Sequence, residues 1–176
     1  MRLAEGADWG SFTAEQWFSA TEVGFCWHAR VKMAPLVTAV VEDAFEDGHG
    51  RLDAKIWGVL PVGAGGPDWR WIAQRYLAEL PWNPMAMAHD PALRFGDGTD
   101  GPVRVWCREP STYVDVRLDD DGDLVGTLSR TRKNDRGEAY PWEGCSGNRD
   151  FGGMRAPTRR RLASPQRTIH LLVAGR

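Results

Sequence analysis

Cysteine is scarce and unpaired. Cys26, Cys107 and Cys145 are an odd set, far apart, with no C-x-x-C pair and no histidine at metal-ligand spacing. This excludes a disulfide scaffold and the common zinc frameworks, so no metal site is expected and the thiols read as free in a reducing compartment. Charge of one sign is also missing: 22 Lys and Arg stand against 24 Asp and Glu, a formal net charge of −2. That balance removes any broad pull toward nucleic acid or an anionic membrane. One basic run, "RAPTRRRL" at 155–162, is too local to reverse it and reads as a solvated strand edge. No stretch approaches the about 18 continuous apolar residues of a membrane span, and "MRLAEGADWGSF" offers no signal-like run. The expectation is a cytoplasmic chain with no integral membrane segment. Absent too are a G-x-S-x-G elbow, a Walker-type ending on "GAGG" at 63–66, and any internal repeat. No cofactor is expected.

Nine tryptophans are present, at 9, 17, 27, 57, 69, 71, 82, 106 and 142. Each needs a covered ring and an acceptor for its indole N–H, so nine imply a bulky core or an aromatic-lined cavity. Alternation dominates the pattern. In "GFCWHARVKMAP", Phe25, Trp27, Ala29, Val31 and Met33 point one way and Cys26, His28, Arg30 and Lys32 the other, the period of a half-buried strand. Residues 36–48 and 51–62 continue as two more strands, giving an antiparallel meander of three. Further strands are expected at 103–109, at 112–134 and from about Met154. "DDDGD" at 119–123 lacks the bidentate glutamate that closes a calcium loop and reads as a hairpin turn. Helical spacing is confined to 67–80, where Trp69, Ile72, Tyr76 and Leu80 form one apolar stripe widened by Leu77 and Pro81 stops the helix; a weaker piece covers 83–92. At 176 residues one domain, 1–176, is expected. The fold class is mainly β (α+β), a long curved antiparallel sheet forming a half-barrel or barrel around one or two helices.

"GFCWHARVKMAP", "DGHGRLDAKIWGVLPV", "RYLAELPWNPMAM", "YPWEG" and "FGGMRAP" together resemble, in order, the blocks of an uncharacterised bacterial family of unknown function. Those blocks run G-F-x-W-x-A-R-V-x-M, G-x-L-x-x-x-x-x-G-x-x-P-V, R-Y-L-A-E-x-x-W-x-P, P-W-x-G and G-G-x-x-x-P. The resemblance spans nearly the whole chain and carries no established activity. Its strand order is in turn similar to the half-barrel of lipoprotein carriers, a likeness of fold alone. Against that pattern the chain shows no export signal, and its tail "SPQRTIHLLVAGR" is shorter than expected, which leaves closure of the sheet open.

Two sets of residues follow as candidates. Arg75 and Glu79, four apart on the helix, can pair. As a solvated ion pair they mean little; inside a hollow they would orient a polar head group. The resemblance keeps Arg75, Tyr76, Glu79, Trp82 and Pro84 together. Glu79, Arg75, Tyr76 and Asp43 are therefore the candidate acid–base or electrostatic groups, with Asp43 placed either inward or at a wet edge. Trp27, Trp57, Trp82, Met85, Met87, Trp106 and Trp142 are the candidate ligand-binding residues. His28, His49 and His89 are assigned to a polar face, a turn and a rim. The first expectation is a module binding a hydrophobic or amphipathic small molecule. Alternatives are a small cyclase- or isomerase-like enzyme using the same cavity, and an interaction domain, for instance a homodimer, without one.

Overall fold

The computed structural model describes residues 12–65, 68–98, 103–132, 141–150, 155–163 and 168–172. Five strands form one antiparallel meander: β1 (Phe12–Phe18), β2 (Phe25–Ala34), β3 (Val37–Glu46), β4 (His49–Ile56) and β5 (Leu60–Gly65). Helix α1 (Trp69–Glu79), a single 3-10 turn (Leu80–Trp82) and the short helix α2 (Pro84–His89) come next. Seven strands then make a second antiparallel meander: β6 (Leu93–Asp97), β7 (Val103–Cys107), β8 (Tyr113–Leu118), β9 (Leu124–Ser129), β10 (Trp142–Asp150), β11 (Arg155–Ala163) and β12 (Thr168–Leu172). The protein is mainly β with a helix against its sheets. The described strands form two sheets, not one continuous sheet, and neither closes into a barrel.

Three sequence expectations change. Residues 51–62 are not one strand: Trp57 (φ 52°) and Gly58 (φ 74°) take left-handed conformations, and Val59 N–H bonds back to the Ile56 carbonyl at 3.0 Å. Two successive positive φ values mark the tight primed turn whose twist suits a hairpin, and the run divides into β4 and β5. Strands β1, β6 and β10 were not anticipated. The arginine-rich run is not an edge either, because β11 pairs with β10 on one side and with β12 on the other. The tail supplies that outer strand.

Helix α1 starts at Asp68, whose side chain accepts from Arg70 N–H at 3.0 Å, and its α geometry ends before Pro81, which cannot donate to the ladder. The apolar stripe understates its burial. The helix packs on β3 and β4 of the first sheet and on β7, β8 and β9 of the second. Tyr76, Leu77 and Leu80 are fully covered, and they join Phe25, Phe45, Val105, Val114 and Val116 in the core. Burial of each leucine contributes about 1.5–3 kcal/mol. Polar Gln74, on a flank the stripe did not include, is buried as well and donates to Thr131 Oγ1 at 2.6 Å.

Register fixes what the first sheet shows to α1. Gln16, Trp27, Asp43 and Leu52 lie opposite one another across β1 to β4, so their side chains share a face, as do Phe18, Phe25 and Phe45 one pleat along. The opposite face carries Glu15, His28, Glu42 and Asp53 in one row and Arg30, Val40 and Lys55 in another. The Asp119–Asp123 segment is the β8–β9 hairpin turn, with Gly122 at φ 80° and Asp119 Oδ1 accepting from Asp123 N–H at 2.8 Å and Asp121 N–H at 3.1 Å.

Candidate functional site

Where α1 crosses the first sheet, two sequence candidates on the helix meet a third from the strands. Arg75 Nε donates to Glu79 Oε1 at 3.2 Å, and its Nη1 donates to Asp43 Oδ2. The guanidinium stacks 5.1 Å from the Phe25 ring centroid and 4.9 Å from that of Trp27, so the aromatic face of β2 forms its floor. Gln16 of β1 donates to the second Glu79 oxygen. Arg75 keeps 16% of its side chain exposed and Glu79 only 6%, so the solvated ion pair is not what forms. Asp43 points inward, toward the helix.

The electrostatics follow from that crowding. Burial works against a charged guanidinium, but Glu79 first and Asp43 second outweigh it and hold the Arg75 pKa above its ordinary value. Glu79 has a donor on each oxygen, which holds it as an acceptor more than as a free base. Asp43 differs, since its Oδ1 is buried with no hydrogen-bond partner while Oδ2 takes the arginine.

Tyr76 belongs to another network. Its hydroxyl donates to Asp90 Oδ2 at 2.9 Å, and Asp90 Oδ1 accepts from Ala92 N–H at 2.8 Å. Burial and the neighbouring carboxylate push the phenol pKa far up, so it stays a neutral donor. Asn83, which caps α2 by accepting from Ala86 N–H at 3.2 Å, also donates to the Ser19 carbonyl at 2.8 Å and ties this corner to the β1–β2 loop.

Beside the Phe25 floor, the β1–β2 loop and the β3–β4 turn enclose a cleft of about 350 Å³. Trp17, Phe18, Val23 and Phe25 give it an apolar wall; Glu22, Glu46 and Asp47 contribute carboxylates. Cys26 also faces it, its thiol pKa raised by burial and by nearby Glu42 and Glu46. None of the six candidate ligand-binding residues with described side chains lines this cleft. Trp27 underlies Arg75, and Met87 packs on the core. Trp106 lies on β7 against Gly96 of β6, where any Cβ would come within 3.2 Å of its ring. Trp57 sits exposed in the β4–β5 turn, its indole N–H donating to the Leu36 carbonyl at 2.8 Å. Trp82 is half-buried in the 3-10 turn, Met85 is exposed on α2, and the Trp142 side chain lies outside the described residues. Sequence reasoning missed Gln16, Trp17 and Phe18. Their signal was the alternation of Phe12, Ala14, Gln16 and Phe18, interrupted by an inward amide.

Among the described residues no group of three His, Cys, Asp or Glu is placed to hold a metal ion, and no helix is long and apolar enough to cross a membrane.

No curated protein and no solved structure matches the chain. A family model does: it covers residues 1–163, and the chain belongs to that family, DUF6544, a family of unknown function.

Proposed function

We propose that the protein binds an amphipathic small molecule in the cleft between the β1–β2 loop and the β3–β4 turn. The observation that carries this reading is the composition of the cleft. Its roughly 350 Å³ suits a small ligand, its wall is Trp17, Phe18, Val23 and Phe25, and among the described residues its charged lining is Glu22, Glu46 and Asp47. An apolar body would lie along the aromatic wall, and a cationic or hydrogen-bond-donating head would face the carboxylates. The Arg75 cluster holds the floor of this cleft in place through Phe25.

A second reading, a small enzyme of the same shape, draws on Asp43. Its Oδ1 is a buried carboxylate oxygen with no partner, which is what a proton acceptor needs. Asp43 is not among the residues that line the cleft, so in that reading the substrate has to reach it by displacing Phe25 or Arg75, after which few catalytic groups are required.

Native mass spectrometry of the protein purified from its host, followed by release and identification of any bound compound, tests the first reading. A stoichiometric amphiphile lost from a Trp17→Ala, Phe18→Ala variant is the expected result. A compound retained by that variant would move the site elsewhere. Turnover abolished by Asp43→Asn, with the compound still bound, would favour the enzyme.

A further inference from the structure

The first sheet has a second distinctive end. Strands β2 and β3 turn at Pro35–Leu36, and β4 and β5 turn at Trp57–Gly58; because β3 pairs antiparallel with β4, both tips project from the same edge. The Trp57 indole donates to the Leu36 carbonyl and Trp57 N–H bonds to the Thr38 carbonyl at 2.8 Å, so the two tips are fastened together. What they present is apolar and uncovered. Leu36 is 92% exposed, and Met33, Trp57, Val59, Leu60 and Val62 are exposed beside it. Backbone strain accompanies the exposure, because Leu36 (φ 66°) and Trp57 (φ 52°) occupy left-handed positions that glycine or asparagine would fill at less cost. Neither side chain is repaid by burial.

Charge is sorted along the same sheet. Residues 30–41 and 54–65 contain Arg30, Lys32 and Lys55 and not one Asp or Glu. All three cations are exposed, and Arg30 and Lys55 share one row across the sheet. The carboxylates Glu42, Glu46, Asp47 and Asp53 lie toward the other end. A protruding apolar tip behind a basic collar, with a tryptophan whose N–H is already satisfied, matches the layered chemistry of an anionic bilayer surface.

We propose that the joined tips of the β2–β3 and β4–β5 hairpins are a membrane-surface anchor. Leu36, Trp57 and Val59 enter the headgroup–acyl boundary while Arg30, Lys32 and Lys55 meet anionic headgroups. This inference does not depend on the cleft, which lies at the opposite end of the strands.

Co-sedimentation with extruded vesicles tests it, comparing equal phosphatidylglycerol and phosphatidylcholine with phosphatidylcholine alone. Wild-type protein is expected to pellet with the anionic vesicles, less at high salt, and Leu36→Asp with Val59→Asp is expected to lower partitioning at least about tenfold at unchanged circular dichroism. Lys32→Glu with Lys55→Glu, on exposed side chains, should give a comparable loss and serves if the first variant does not fold. Protein that stays in the supernatant, or variants that pellet like wild type, overturns the proposal. Sedimentation velocity covers the other occupant: a dimer that Leu36→Asp converts to monomer would assign the patch to a second copy of the chain and overturn the membrane reading.

Discussion

Arg75 of α1 and Asp43 of β3, 32 positions apart in sequence, form an ion pair on an aromatic floor, and this pair joins the helix to the first sheet. Because Arg75 answers two carboxylates at once, its loss removes the cation that they share in a site that is mostly shielded from water. Arg75→Met is expected to cost about 3–5 kcal/mol in urea denaturation. Adding Asp43→Asn and Glu79→Gln to that variant should recover part of the loss, since no buried charge then remains. A triple variant no more stable than Arg75→Met alone would refute this account.

Alkaline pH should weaken the fold. Burial first, and Asp90 nearby, push the Cys107 thiol from an ordinary value of 9.0 up to about 11, and the Tyr76 phenol is raised from 10.0 by the same causes. With the folded pKa above the unfolded one, the unfolded chain sheds its proton first. The stabilisation is therefore complete below pH 9 and declines as pH rises. Two units on the thiol correspond to about 3 kcal/mol in all, of which about 2 is lost by pH 11. Chemical denaturation at pH 8 and pH 10.5 should show the fall, with a shallower one in Cys107→Ala.

The Arg104–Asp115 pair predicts an asymmetry. Arg104 Nε and Nη2 meet Asp115 Oδ1 and Oδ2 at 2.8 and 3.1 Å, but the arginine side chain is 25% exposed and the aspartate 1%. Removing the arginine strands a buried carboxylate; removing the carboxylate leaves a cation that can reach water and rests on the Tyr113 ring. Arg104→Met should cost about 3 kcal/mol or more and Asp115→Asn about 1.5. Thermal melts of the two variants decide it, and equal losses would count against the argument.

Leu36→Gly should stabilise the protein. The substitution removes a left-handed leucine and an uncovered apolar side chain at a position following proline where a turn favours glycine. The expected gain is about 1 kcal/mol, set against weaker vesicle partitioning. Urea denaturation and vesicle co-sedimentation of this variant check the two outcomes, and a variant less stable than wild type would refute the strain argument.

How far the residues alone lead depends on what each pleat carries. Strand β2 was legible because Phe25, Trp27, Ala29 and Val31 alternate cleanly with polar neighbours, and α1 because its apolar residues recur at helical spacing. The Arg75–Glu79 pairing followed from its spacing of four, but its burial did not, since it depends on Gln16 and Asp43 arriving from distant strands. Strand β1 escaped notice because it turns Gln16 inward and Trp17 outward, the reverse of what hydrophobicity alone implies. The β4–β5 turn was hidden by Trp57, a residue that ordinarily marks strand interior and here takes a positive φ. For the arginines of β11, nothing local indicated that Thr168–Leu172 would pair beyond them.

Strand β3 is ten residues long, about 33 Å of extended chain. One end of this rod lies beside the hairpin tips and the other at the acidic mouth of the cleft, so a flat boundary met tip-first by the hairpins is not touched by the cleft. A molecule seated between Trp17 and Asp47 would stand off from any surface the tips grip by roughly the thickness of a bilayer's hydrocarbon core, facing water and within reach of whatever arrives by diffusion.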